Sequence, residues 1–122
     1  MSKYNTLLAR VLLAHIFILA GVSKITTFAG TQGYMESVGV PGMLLPLVIL
    51  LELGGGLAIL VGWKTRLVSY AIAGFTVIAG VIFHGNTADQ MQMIMLMKNF
   101  AIAGGFLLLA EHGAGAFSLD NR

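Results

Sequence analysis

Cysteine is absent from this chain, which excludes disulfides, thiolate metal sites, iron–sulfur clusters and dithiol relays built from its own residues. Any thiol chemistry must therefore belong to another molecule. Charge is almost as scarce: seven Lys and Arg and five Asp and Glu make up 10% of the 122 residues. That is too little for an ordinary soluble domain. No basic run is interleaved with aromatic residues, so nucleic acid is not an expected partner. His15, His84 and His112 fall at three different depths, and no two share a helix at ligand spacing. Neither a metal motif nor a haem site is expected.

Apolar residues, by contrast, make up 57% of the chain. They form four runs, at about 6–24, 43–62, 67–84 and 91–110, each long enough to cross a hydrocarbon core of roughly 30 Å as a helix. The expected fold is all-α: a membrane-embedded four-helix bundle, one domain over residues 1–122, with the lipid bilayer as its surroundings. Lys3 and Arg10 around the first apolar run resemble a signal peptide. No small-x-small cleavage site precedes Lys24, so the run is read as a retained span. Between the first two spans the composition turns polar and Gly-rich, closing on Gly39-Val40-Pro41-Gly42. Phe28, Tyr34, Met35 and Val38 there suit a short interfacial helix, with Gln32 and Glu36 facing water.

The second span reads MLLPLVILLELGGGLAILVG from Met43 to Gly62, with Glu52 as its single charge near the midpoint. A carboxylate at that depth needs a partner. In the first span Arg10, Ala14, Phe17, Gly21 and Lys24 recur at helical spacing and share a face. In the last span Lys98-Asn99 lies too deep to be a flank. These positions suggest a bidentate Arg10–Glu52 pair with Lys98 on the remaining lone pairs, and one excess positive charge suited to an anion or an electron-rich carbonyl. Lys24 and His84 would form a vestibule above it. The plainer alternative is that the same charges only lock the helices together.

Small residues suggest where helices approach. Gly54, Ala58 and Gly62, at four-residue spacing, form a smooth stripe suited to a second helix and hence to a homodimer, while Gly56 would leave room beside the carboxylate. The third span, without charge, reads as scaffold. His15 lies on a different face from Arg10, as a packed histidine bonded to a neighbouring helix. Four spans put both termini on one side, and Lys3, Lys64, Arg66 and Arg122 outnumber Lys24 and Lys98 across the bilayer. Both termini are therefore expected to be cytoplasmic.

Taken in order, Arg10, Gly21 and Lys24, Phe28 and Tyr34 ahead of Gly39-x-Pro41, Glu52 with its following glycines and Gly62, Phe83-His84, Lys98-Asn99 with Gly104-Gly105, and the closing Gly115-Ala116-Phe117-Ser118-Leu119-Asp120 resemble the DoxX family. The resemblance covers nearly the whole chain. It implies a four-helix bacterial inner-membrane protein linked to sulfur and thiol redox metabolism, since the family is named after a small membrane subunit of a thiosulfate:quinone oxidoreductase. It further implies a quinone held near Arg10, Lys24, Glu52, His84, Lys98 and Asn99. In that setting Glu52, His84 and Lys98 carry the chemistry: cations polarise quinone oxygens, and Glu52 or His84 handles protons. A soluble or membrane redox partner would complete turnover. The short segment after His84 lacks the aromatic residues often found there in the family, which argues against a stacked ring site. Two other readings compete, a non-enzymatic homo-oligomeric scaffold and a small-molecule transporter, although four spans without an inverted repeat are few for alternating access.

Overall fold

The computed structural model describes residues 3–86 and 88–121. Helix α1 runs Lys3–Thr26, a short α2 runs Phe28–Ser37, and α3 (Gly42–Val61), α4 (Thr65–Phe83) and α5 (Gln90–His112) follow. No strand occurs among the described residues. The four long helices are long and apolar enough to cross a membrane. Large apolar side chains such as Leu12, Leu19, Leu47, Leu50, Leu67 and Leu108 point outward. A bundle in water would place polar groups there, so this surface is built for lipid.

The helices pack as two close pairs, α1 along α3 and α4 along α5. One end of the bundle carries Lys3 and the C-terminal segment, and is called the tail end; the other carries α2 and His84, and is called the mouth. Toward the tail end the pairs share a core in which Phe17 meets Phe106 edge-on at 5.5 Å beside Ile59, Ile72 and Leu109. Ring burial of this kind favours tilted contacts, because the positive edge of one ring meets the negative face of the other.

The tail end is fastened by polar groups. Arg10 is fully buried and donates to the carbonyls of Ile59 (3.4 Å), Leu60 (3.2 Å) and Phe117. The first two belong to the last turn of α3, where Ile59 O also accepts from the Gly62 amide at 3.2 Å and the helix dipole is negative, so a cation is well placed. Gly62 ends α3 at φ +74, a left-handed conformation, and a Cβ at this position would strike Ser118 and Arg10. The chain after α5 returns to the same corner. Leu119 donates to Val61 O at 3.0 Å and Asp120 to Gly62 O at 2.8 Å. The Asp120 carboxylate accepts from the amides of Lys64 (2.7 Å) and Thr65 (2.8 Å), so a residue more than fifty positions away caps α4. Burial pushes its carboxyl up, but the bonds from Thr65 and Lys64 and the charge of Arg10 outweigh that and hold it below its ordinary 3.8.

This arrangement corrects three expectations. Ala58 is buried and Gly62 is covered by the returning tail, so the Gly54/Ala58/Gly62 stripe is not an open helix-docking face. Gly54 has only Leu50 of its own helix nearby. His15 is exposed and bonds to Leu12 O on its own helix rather than to a neighbour, because its face of α1 points away from α3. Gln32 is half-buried and donates to Gly42 O at 3.0 Å, fixing α2 to the start of α3.

Arg10→Met is expected to leave carbonyls short of a donor and to cost roughly 2–4 kcal/mol, read as earlier thermal unfolding in detergent, with proteolysis opening the C-terminal segment first. Asp120 supplies a pH signature. Its folded-state carboxyl titrates below the usual value, so its stabilisation is complete above that value and is lost as the pH falls through its folded-state pKa. Melts from about pH 7 down to about pH 3 should show the advantage of wild type over Asp120→Asn shrinking at the acid end.

Candidate functional site

Glu52 stands in a π-helical turn, Leu50–Gly54, set inside α3. Such a turn wraps one extra residue and is rare in helices, occurring most often at functional sites. Glu52 is 6% exposed, and Lys24, from the last turn of α1, brings its ammonium to 2.8 Å from Oε1. At this distance the ammonium and the carboxylate form an ion pair. An unpaired charge at the centre of a span costs on the order of 2.5–3.5 kcal/mol. Lys24 supplies the counter-charge that such a carboxylate needs.

Two glycines make that pairing reachable. A Cβ on Gly21 would sit 2.9 Å from Leu53 Cβ and 3.0 Å from Leu53 N; a Cβ on Gly56 would sit 2.8 Å from Ile18 Cγ1 and 3.2 Å from Ile18 N. Each helix therefore supplies one bare position to the backbone of the other, and α1 and α3 cross in close contact. Gly56 does not leave room beside the carboxylate, as the spacing suggested; α1 fills that space. The close crossing also fixes depth. Arg10 lies level with Ile59 and Leu60, seven or eight residues beyond Glu52 on α3, or roughly 10–12 Å along the axis. The expected Arg10–Glu52 pair is therefore not formed. Lys24 takes the acid, and Arg10 takes the helix-end carbonyls.

Toward the mouth the two helix pairs separate around a cavity of about 750 Å³. One wall carries Lys24 and Glu52; the other carries Thr76, Ala79, Phe83 and His84 of the α4 side and Lys98, Asn99 and Ile102 of α5. Thr31, Tyr34 and Met35 of α2 line it as well. Most of the remaining lining is apolar, including Phe17, Leu44, Leu51 and Phe75. Of the residues singled out in the sequence, Lys24, Glu52, His84, Lys98 and Asn99 meet at this cavity and Arg10 does not. Lys98 does not touch Glu52; it is exposed, with its ammonium 3.6 Å from Met95 Sδ. His84 Nδ1 lies 2.8 Å from Gln92 Oε1, a contact that ties the ring to the first turn of α5. Asn99 donates to Thr76 O at 3.1 Å and packs where Gly80 lacks a side chain, tying α5 to α4 at the cavity wall.

Three features had escaped the sequence reading. The π turn has no simple residue code, although three consecutive glycines after an in-span acid hint at irregular packing. The α4 helix, read as scaffold, supplies much of one wall. Tyr34 stacks on Phe83 at 5.6 Å and 27°, an aromatic pair at the cavity formed from α2 and the end of α4 rather than from the segment after His84. Among the described residues no cluster of His, Cys, Asp and Glu could hold a metal ion.

The DoxX family profile matches residues 5–85, which include α1, the π turn, Lys24, Glu52 and His84. The chain belongs to the DoxX family. It is 57% identical over 120 residues to inner membrane protein YqjF of Escherichia coli (strain K12), covering 98% of this chain and 92% of that one. Inner membrane protein YphA of the same organism is 39% identical over 123 residues, covering 95% and 88%. A Bacillus subtilis (strain 168) protein named "Putative oxidoreductase CatD" is 30% identical over 116 residues, covering 89% and 86%. No solved structure matches the chain. This DoxX protein is thus an integral, multi-pass inner-membrane protein.

Gly21→Leu is expected to push α1 off Leu53, separate Lys24 from Glu52 and cost roughly 1–3 kcal/mol of stability. Infrared spectra of the variant should gain a protonated carboxyl band that a further Glu52→Gln change removes. Wild-type stability without that band would show that the close crossing is dispensable.

Proposed function

We propose that this DoxX protein is the membrane component of a quinone-linked redox system of sulfur or thiol metabolism, with the mouth cavity as its quinone site. The supporting observation is the cavity itself: about 750 Å³, largely apolar, with an ion pair, a lysine, a histidine and an asparagine at its walls. That volume and that mixture of apolar lining with a few polar groups suit a ring carrying an isoprenoid tail. The family membership and the oxidoreductase name of CatD point the same way.

A bound quinone supplies two-electron, two-proton carriage. The chain contributes the surroundings. Lys98 would offer a cation to a ring oxygen, and His84, its Nδ1 held by Gln92, would take up or release a proton. The apolar lining keeps water from the ring. Glu52, paired with Lys24, keeps a fixed negative charge at the deep end and can take a proton if Lys24 moves away. The electrons come from a partner, because the chain has no cysteine of its own to oxidise.

The test is extraction of the protein from its native membrane in mild detergent, followed by native mass spectrometry and identification of any co-purified small molecule. A quinone is expected in wild type and absent from Ala79→Trp, which fills the cavity from α4 without removing a charge. A ligand-free protein, with a known quinone binder retaining its ligand under the same handling, would favour a scaffold whose charges serve only packing.

A further inference from the structure

We infer that the mouth cavity selects a ligand with an ionised acidic head over a neutral one of the same shape, and that Lys98 is the selecting residue. The inference rests on the cavity being a ligand site, as proposed above, and adds the chemical class of the ligand. It follows from where the chain's few carboxylates lie. There are five acids. Glu52 is held by Lys24 at 2.8 Å. Asp89 caps α5, accepting from the Met91 amide at 2.9 Å. Glu36 rests against Gly42 outside the cavity lining, and Asp120 caps α4 at the tail end. Glu111 lies in the last turn of α5, also at the tail end.

No acid remains for Lys98. Among the described residues its ammonium has Met95 Sδ at 3.6 Å and no carboxylate within ion-pair distance. A thioether is a weak acceptor. Lys98 nevertheless lies eight residues inside α5, roughly 12 Å along a helix that crosses the bilayer, and faces a cavity whose walls are mainly apolar. With His84 neutral, the lining side chains Lys24, Glu52 and Lys98 sum to one positive charge. In such surroundings a cation without a counter-charge is costly, and an anion that arrives with an apolar body is favoured twice, by Coulomb attraction and by burial of that body. Lys24 cannot serve the same purpose while it neutralises Glu52. Two kinds of molecule share this chemistry: a ring bearing an ionised hydroxyl, such as a hydroxyquinone, and a lipid carboxylate.

Binding to the purified full-length protein in neutral detergent separates them. The probes are a 2-hydroxy-3-alkyl-1,4-naphthoquinone, an anion near neutral pH; its 2-methoxy ether, which keeps ring and tail but has no acidic proton; and oleate against oleyl alcohol. The hydroxyquinone is expected to bind about tenfold or more tightly than its ether, a preference that Lys98→Gln abolishes and Lys98→Arg retains. The same substitution at exposed Lys3 should leave it intact. Equal binding of hydroxyquinone and ether would overturn the inference and leave the quinone reading standing. Preference for oleate over oleyl alcohol, lost in Lys98→Gln, with neither quinone bound, would uphold the acidic head and overturn the quinone. Binding of none of the four would overturn both. A preference that survives in Lys98→Gln, with that variant's melting temperature unchanged, would remove Lys98 from the assignment.

Discussion

The structure depends on giving a carboxylate within an apolar bundle a partner. Glu52 satisfies that constraint through Lys24, and the pair forms only because α1 and α3 touch backbone to backbone at Gly21 and Gly56. The glycines are therefore as much a part of the site as the charges. A side chain at either position would move the helix axes apart by about the radius of a methyl group or more, and an ion pair in low dielectric loses much of its value over such a distance. The π turn belongs to the same solution, since it lies at the one place in α3 where a polar side chain must be aimed at a neighbour.

The remaining charges divide by end. At the tail end Arg10 and Asp120 are structural: a buried guanidinium donates to carbonyls of α3 and of the C-terminal segment, and the Asp120 carboxylate caps α4. At the mouth the two helix pairs part, and Lys98 and His84 line the space between them, His84 also bonded to Gln92. The bundle is thus closed by polar contacts at one end and opens into the cavity at the other. That division gives physical content to the two roles, locking and chemistry, that the buried charges could have served. The contacts of Arg10 and Asp120 lock the tail end, and Lys24, Glu52, His84 and Lys98 line the cavity.

Reading the chain residue by residue went far toward this picture in some places and failed in others for identifiable reasons. Four spans follow from run length alone, because lipid leaves the backbone no alternative to helix. The face carrying Arg10, Ala14, Phe17 and Gly21 followed from helical spacing and is the buried face of α1. Lys24, Glu52, His84, Lys98 and Asn99 line one cavity, whereas spacing had suggested an Arg10–Glu52–Lys98 core with Lys24 and His84 in a vestibule above it. The partner of Glu52 did not come out correctly. Spacing gives the face of a residue but not its level against a neighbouring helix, and that level is set by how far α1 slides along α3.

What this sequence determined by itself is thus the set of spans, the poverty of counter-charges and the absence of any thiol. These depend on composition and on a one-dimensional pattern that a bilayer reads directly. The tertiary structure decided the pairing. It assigned Lys24 rather than Arg10 to Glu52, turned Gly56 from open space into a helix contact, and folded a Gly-rich tail into the cap of α4. Each of those outcomes depends on distances of a few ångströms between segments far apart in the chain, and such distances are fixed only when whole helices have packed.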